Sequence, residues 1–167
     1  MTPIADAVAG RYAAARRDSG LFKAGLWVEE VCALAYRTAA AGPLRGEEFA
    51  RRFAGHEREH AAVFETLLFA LTVPVREHAT EDDLRALAPR LRRADRAEAL
   101  RILADLEDAA IQGHQLMGRR VEALDALRSV AQVMAGAAQH LVVLRDALGQ
   151  VPLTKAFESG RQADTLG

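Results

Sequence analysis

Apolar positions recur along this chain at alternating steps of three and four residues in four long stretches, roughly 20–41, 46–72, 95–118 and 123–148. That period belongs to amphipathic helices, not strands. The first stripe reads Phe22, Leu26, Glu29, Ala33, Tyr36, Ala40 and the second Phe53, Glu57, His60, Phe64, Leu67, Leu71. The third reads Leu100, Leu103, Glu107, Ala110, His114, Met117, Val121, and the fourth Val130, Val133, Ala137, His140, Leu144, Ala147. A short link, AGPLRG, joins the first pair, which makes those helices antiparallel neighbours. About twenty residues separate the second helix from the third, enough to travel the length of a helix some 35–40 Å long at 1.5 Å per residue. Within that link Thr80, with Asp83 three residues on, predicts the start of a short helix. The pattern therefore predicts an all-α chain: one four-helix bundle over about 20–149, with a long crossover between helices 2 and 3 and a C-terminal tail over 150–167. Gly149 suits the end of the last helix.

Composition narrows the function classes. The chain has 167 residues, half of them apolar, and a net charge of −1. That length supports one core and one domain, 1–167. A balanced charge gives no pull toward nucleic acid or anionic membrane. A single cysteine, Cys32, rules out an intramolecular disulfide. It reads as a packed small hydrophobe. The N-terminal stretch has neither the basic start nor the apolar run of a signal peptide or membrane anchor. A cytoplasmic location is expected. Trp27 and Arg145 read as surface or oligomer-contact residues.

The stripes carry one oddity. Each contains an ionisable residue where an apolar one is expected: Glu29 in the first, Glu57 and His60 in the second, Glu107 and His114 in the third, His140 in the fourth. Glu29 lies about a dozen residues before the first turn and Glu57 about eleven after it. Glu107 and His140 flank the second turn in a similar way, so the heads should meet in one layer. The motif GHEREHA thus divides, with Glu57 and His60 inward, His56 and Glu59 on a solvated face. Burying three carboxylates together costs several kcal/mol each unless counter-charge is supplied. No Lys or Arg occupies the stripes near that layer. A divalent cation would supply the missing charge, and Glu followed three residues later by His puts a hard oxygen and an imidazole on one face.

At these residues the chain resembles the ferritin-like superfamily, in particular the ferritin-like domain family that includes desiccation-related proteins. The resembling pieces are WVEEVCALAY, HEREHAAVFETLL, LEDAAIQGH, AAQHLVVLRDAL and, in the tail, VPLTKAFES. The resemblance implies a carboxylate-bridged centre of iron or manganese, one or two ions per chain. It implies that Glu29 and His60 bind one ion, Glu107 and His140 the other, and that Glu57 bridges them. Tyr36 and His114 would stand just behind these ligands. The chain departs from the family at Ala137, where a second bridging glutamate is expected; three carboxylates supply −3 against the +4 of two divalent ions.

Two function classes follow. One is a di-iron oxidoreductase-like centre that binds Fe(II) and oxidises it with O2. The other is a non-catalytic bundle with a degenerate mono-metal or structural site, acting as an interaction or stress-protection protein. The expected partners are metal ions and O2, with no nucleic acid and no membrane, and a homo-oligomer is expected to be a dimer in preference to a cage.

Overall fold

The computed structural model describes residues 3–15 and 17–150, and among these the chain is all-helical. The order is α1 (Pro3–Ala14), α2 (Asp18–Ala41), α3 (Glu48–Ala70), α4 (Ala88–Arg93), α5 (Arg96–Gly118) and α6 (Leu124–Ala147). No described helix is long and apolar enough to cross a membrane. The tail, including the VPLTKAFES motif, lies outside the described residues.

The four long helices match the four periodic stretches, and their side-chain contacts fix how they run. Gly25 faces Phe64, Glu29 meets His60 and Tyr36 packs on Phe53, so α2 and α3 are antiparallel. Gly25 also faces Met117, Glu29 meets His114 and Tyr36 meets Glu107, which sets α5 antiparallel to α2. Glu107 meets His140 and Gly118 faces Leu127, which makes α5 and α6 antiparallel as well. His60 faces Gly136 and His56 meets His140, which closes the ring between α3 and α6. The contact between α3 and α6 is the thinnest of the four.

Helix ends follow local chemistry. Asp95 caps α5 by accepting from the backbone N–H of Glu98 at 2.8 Å. Gly149, at φ +68°, ends α6 as the sequence suggests, with Gln150 N bonded to the Arg145 carbonyl and Gly149 N to that of Asp146. Only a residue that tolerates the left-handed region makes that double bond without strain. Gly46, at φ +96°, plays the corresponding part in the turn between α2 and α3.

Four sequence expectations need correction. A first helix, α1, precedes the four, and its Val8, Tyr12 and the adjoining Ala15 are buried. Their spacing of four and three is a helical stripe too short to stand out beside the long ones. With α1, α3, α4 and α5 all packed on it, α2 is buried on most of its circumference. Trp27 is therefore not a surface residue: it is 7% exposed, donates to Asp83 at 2.9 Å, and carries the Arg11 guanidinium 4.1 Å above its ring. The core stripe of α3 ends Ala61, Phe64, Leu68, while Leu67 is half-buried and Leu71 exposed. Thr80 does bond Asp83, through its N–H at 2.8 Å and its hydroxyl at 3.1 Å, but this closes a turn, and α4 begins only at Ala88.

Candidate metal centre

Glu29 on α2, Glu57 and His60 on α3, Glu107 on α5 and His140 on α6 come together at mid-height in the core. Glu29, Glu57 and Glu107 are each exposed by no more than 1%. The His60 Nδ1 lies 3.1 Å from Glu29 Oε2 and 3.3 Å from Glu57 Oε2. The His140 Nδ1 lies 3.1 Å from Glu107 Oε1 and 2.7 Å from Glu57 Oε1. Two donor triads result, Glu29–Glu57–His60 and Glu57–Glu107–His140, and in each the ligand atoms lie within 4.8 Å of one another. They share Glu57. That is the partition the family resemblance implies for its two ions.

Behind the triads stand the two residues expected there. Tyr36 donates to Glu107 Oε1 at 2.6 Å, and His114 Nε2 lies 2.6 Å from Glu29 Oε1. Each takes up one oxygen of its carboxylate. Two oxygens remain without a hydrogen-bond partner, Glu57 Oε1 and Glu107 Oε2, although both are fully buried. The His140 ring is close enough to Glu57 Oε1 for an ion pair but is not angled for a hydrogen bond. Buried carboxylate oxygens in this condition are rare and costly. The ion-pair partners of Glu29, Glu57 and Glu107 are all histidines.

The electrostatics match this crowding. Burial, followed by the charge of Glu57, raises the Glu107 carboxyl from its ordinary 4.5 to about 7. Burial and the neighbouring Glu29 charge likewise raise Glu57. For Glu29 burial works upward too, but pairing with His114 and the bond to His60 hold it at about 2. Burial disfavours charge on both imidazoles, yet the surrounding carboxylates win. His60 is carried to about 10 by Glu29 and Glu57, and His140 to about 9 by Glu107 and Glu57. Without another cation, this layer balances its charge with protons.

At position 137, where the family resemblance implies a second bridging glutamate, Ala137 is buried in a small apolar cluster with Ile111 and Leu141. Its neighbour Gly136 matters as well. A Cβ there would stand 2.6 Å from His60 Nε2, and only glycine lets that ring sit against α6.

Sequence reasoning missed two residues. His56 is not on a solvated face: it is half-buried, and its Nδ1 lies 3.0 Å from His140 Nε2 with the two rings stacked. The seam between α3 and α6 is thin enough for its ring to lie over His140 at the edge of the layer. Glu59 is exposed, as its face predicts. The second is Tyr12, whose hydroxyl reaches His114 Nδ1 at 3.1 Å from α1. A third Glu/His grouping, Glu30, Glu65 and His78, lies near the surface. There Glu30 accepts from the Ala79 N–H at 2.6 Å and pairs with His78, fastening the segment after α3 to α2.

No protein-family model matches the chain, and no curated protein matches it. Among solved structures it is similar to a conserved hypothetical protein from Mycobacterium tuberculosis, with a TM-score of 0.69 and 19% identity over 84% of this chain and 96% of that one. At that identity the likeness is one of fold.

Proposed function

We propose that the chain is a ferritin-like four-helix bundle, α2, α3, α5 and α6 with residues 71–95 as the long crossover, built around a non-haem metal centre that binds Fe(II) and oxidises it with O2. One observation carries this reading: two buried Glu/His triads share Glu57 and contain two carboxylate oxygens with no hydrogen-bond partner. A protein that needed these residues only for packing would gain by replacing them with apolar ones. The donor set of carboxylates and imidazoles suits iron or manganese.

Glu29 and His60 would hold one ion, Glu107 and His140 the other, and Glu57 would bridge. Iron bound there supplies Lewis acidity and a redox couple. The chain's own residues do the remainder. Tyr36 and His114 fix the rotation of Glu107 and Glu29, His140 and His60 surrender their protons on loading, and the apolar core keeps bulk water out. Three carboxylates fall short of two divalent ions by one charge, so a hydroxide or small anion would complete the set. The position formed by Glu29, Glu57 and His60 would load first and more tightly.

The second reading, a structural or mono-metal site in a non-catalytic bundle, draws on the apolar packing of Ala137 against Ile111 and Leu141. Fe(II)-dependent O2 consumption separates the two. The ferroxidase reading expects O2 uptake that scales with added Fe(II) and disappears in Glu57→Ala; Fe(II) bound without O2 uptake would favour the structural site. We further place the chain in the cytoplasm, as a homodimer in preference to a cage. Exposed Phe69 on α3 and Leu124 on α6 supply apolar surface for a self-contact.

A further inference from the structure

Helix α1 enters the layer through one side chain. Tyr12 is fully buried, and its ring occupies a slot left by Gly113 on α5, where a Cβ would come within 2.2 Å of the ring. The C-terminal end of α1 is pinned there by Arg120, which donates to the backbone carbonyls of Tyr12, at 3.0 Å, and Ala15. From that position the Tyr12 hydroxyl meets His114 Nδ1 at 3.1 Å, and His114 Nε2 meets Glu29 Oε1 at 2.6 Å. Tyr12, His114 and Glu29 come from three helices, and each is exposed by 0%.

A buried hydroxyl must place its hydrogen on an acceptor. His114 Nδ1 is the partner of Tyr12 in the structure, and burial, followed by the charge of Glu29, raises the Tyr12 phenol far above its ordinary range, so the hydroxyl keeps its hydrogen. Held ionised, Glu29 can only accept, so the hydrogen of His114 Nε2 is directed at its Oε1, while the Tyr12 hydroxyl on Nδ1 holds the ring from its other side. One oxygen of Glu29 is consumed and its rotation set, while Oε2 is left beside His60 and Glu57.

We propose that Tyr12 is a positioning residue for the metal centre: docking of α1 through Tyr12 fixes the rotation of the His114 ring and, through it, the orientation of Glu29. This deepens the metal reading above and rests on it. A corollary is reciprocal coupling, since an ion that binds the oriented Glu29 also stabilises the docked state of α1.

The test uses the full chain and its Tyr12→Phe variant, which keeps the ring in the Gly113 slot and removes only the hydroxyl. Calorimetric titration with Mn(II) should show affinity at the tighter position lowered by about ten- to a hundred-fold, the range for removing a partner of a ligating group, with the weaker position unchanged. Proton and nitrogen-15 spectra of the metal-free proteins give an independent reading: the His114 Nε2–H resonance, shifted downfield by its short bond to Glu29, should broaden or move upfield in Tyr12→Phe. A variant that melts lower yet binds Mn(II) with unchanged affinity and keeps that resonance would reduce Tyr12 to packing and overturn the proposal. If the natural chain binds no Mn(II), the metal reading fails by itself. The spectra then decide the Tyr12 role, and an unchanged resonance overturns it.

Discussion

Replacing Glu107 by glutamine should make the metal-free protein more stable at pH 8 and leave it nearly unchanged at pH 5.5. Glu107 is buried, has one oxygen without a partner, and titrates at about 7 instead of 4.5. A group raised in the folded state contributes stability that is complete below its unfolded value and is lost as pH rises through the folded one. At pH 8 the wild type has lost about 3 kcal/mol in this way, since each tenfold change in proton affinity between the unfolded and folded chain is worth about 1.36 kcal/mol. Glutamine cannot ionise, so the variant escapes that loss while its carbonyl oxygen still accepts from Tyr36. Part of the gain is cancelled because His140, charged up to about 9, loses one of its two carboxylate partners. A net gain of about 1–2 kcal/mol remains, or roughly 2–8 °C in melting temperature for a chain of this size. Thermal melts in chelator at both pH values measure it. With Mn(II) added the order should reverse, because the variant lacks a ligand. A variant less stable than wild type by equal amounts at both pH values would show Glu107 to be a satisfied structural acceptor and would refute the reasoning.

The displaced titrations of its neighbours set the pH profile of the wild type. Raised Glu107, His140 and His60 lose their contributions as pH climbs through about 7, 9 and 10, and lowered Glu29 loses its own as pH falls from 4.5 toward about 2. The metal-free protein should therefore melt highest near pH 5–6. Added Fe(II) or Mn(II) should raise the melting temperature more at pH 8 than at pH 5.5, since ions displace protons from these groups; equal or absent changes at both pH values would speak for a purely structural layer. Ala137→Glu should lower metal-free stability by about 1–3 kcal/mol, because it buries a carboxyl beside Ile111 and Leu141, and should bring metal content toward two ions per chain. Elemental analysis checks it, and an unchanged metal content would count against the assignment of position 137. Gly136→Ala should push His60 out of line, lowering metal-free stability because its bonds to Glu29 and Glu57 are loosened, and costing about ten-fold or more in affinity for the first ion. Unchanged affinity in a calorimetric titration would show that His60 is not a ligand.

Much of this arrangement is legible in the sequence. The heptad stripes place Glu29, Glu57, His60, Glu107 and His140 on inward faces because a helix repeats its facing residues on a fixed period, and matched distances from the turns put them at one height. What escapes is what that period does not encode. Tyr12 sits on a helix whose apolar stripe is only Val8, Tyr12 and Ala15, and its slot exists because Gly113, far away in sequence, has no side chain. The period of α3 puts His56 beside the stripe and so points it outward; its partial burial depends on how thinly α6 meets α3. The deep burial of Trp27 needs α1 and the segment after α3 to cover it, and neither is visible in the period of α2.

The central claim is that the layer exists to hold metal, with Glu57 shared between two positions. Anaerobic titration calorimetry with Fe(II), on protein first freed of metal and compared with Glu57→Ala, tests it most directly. Binding in the natural chain should be stepwise, a tight first ion and a weaker second that needs hydroxide or another small anion, and Glu57→Ala should lose both steps. Absence of binding in the natural chain, or binding that persists unchanged in Glu57→Ala, would contradict it.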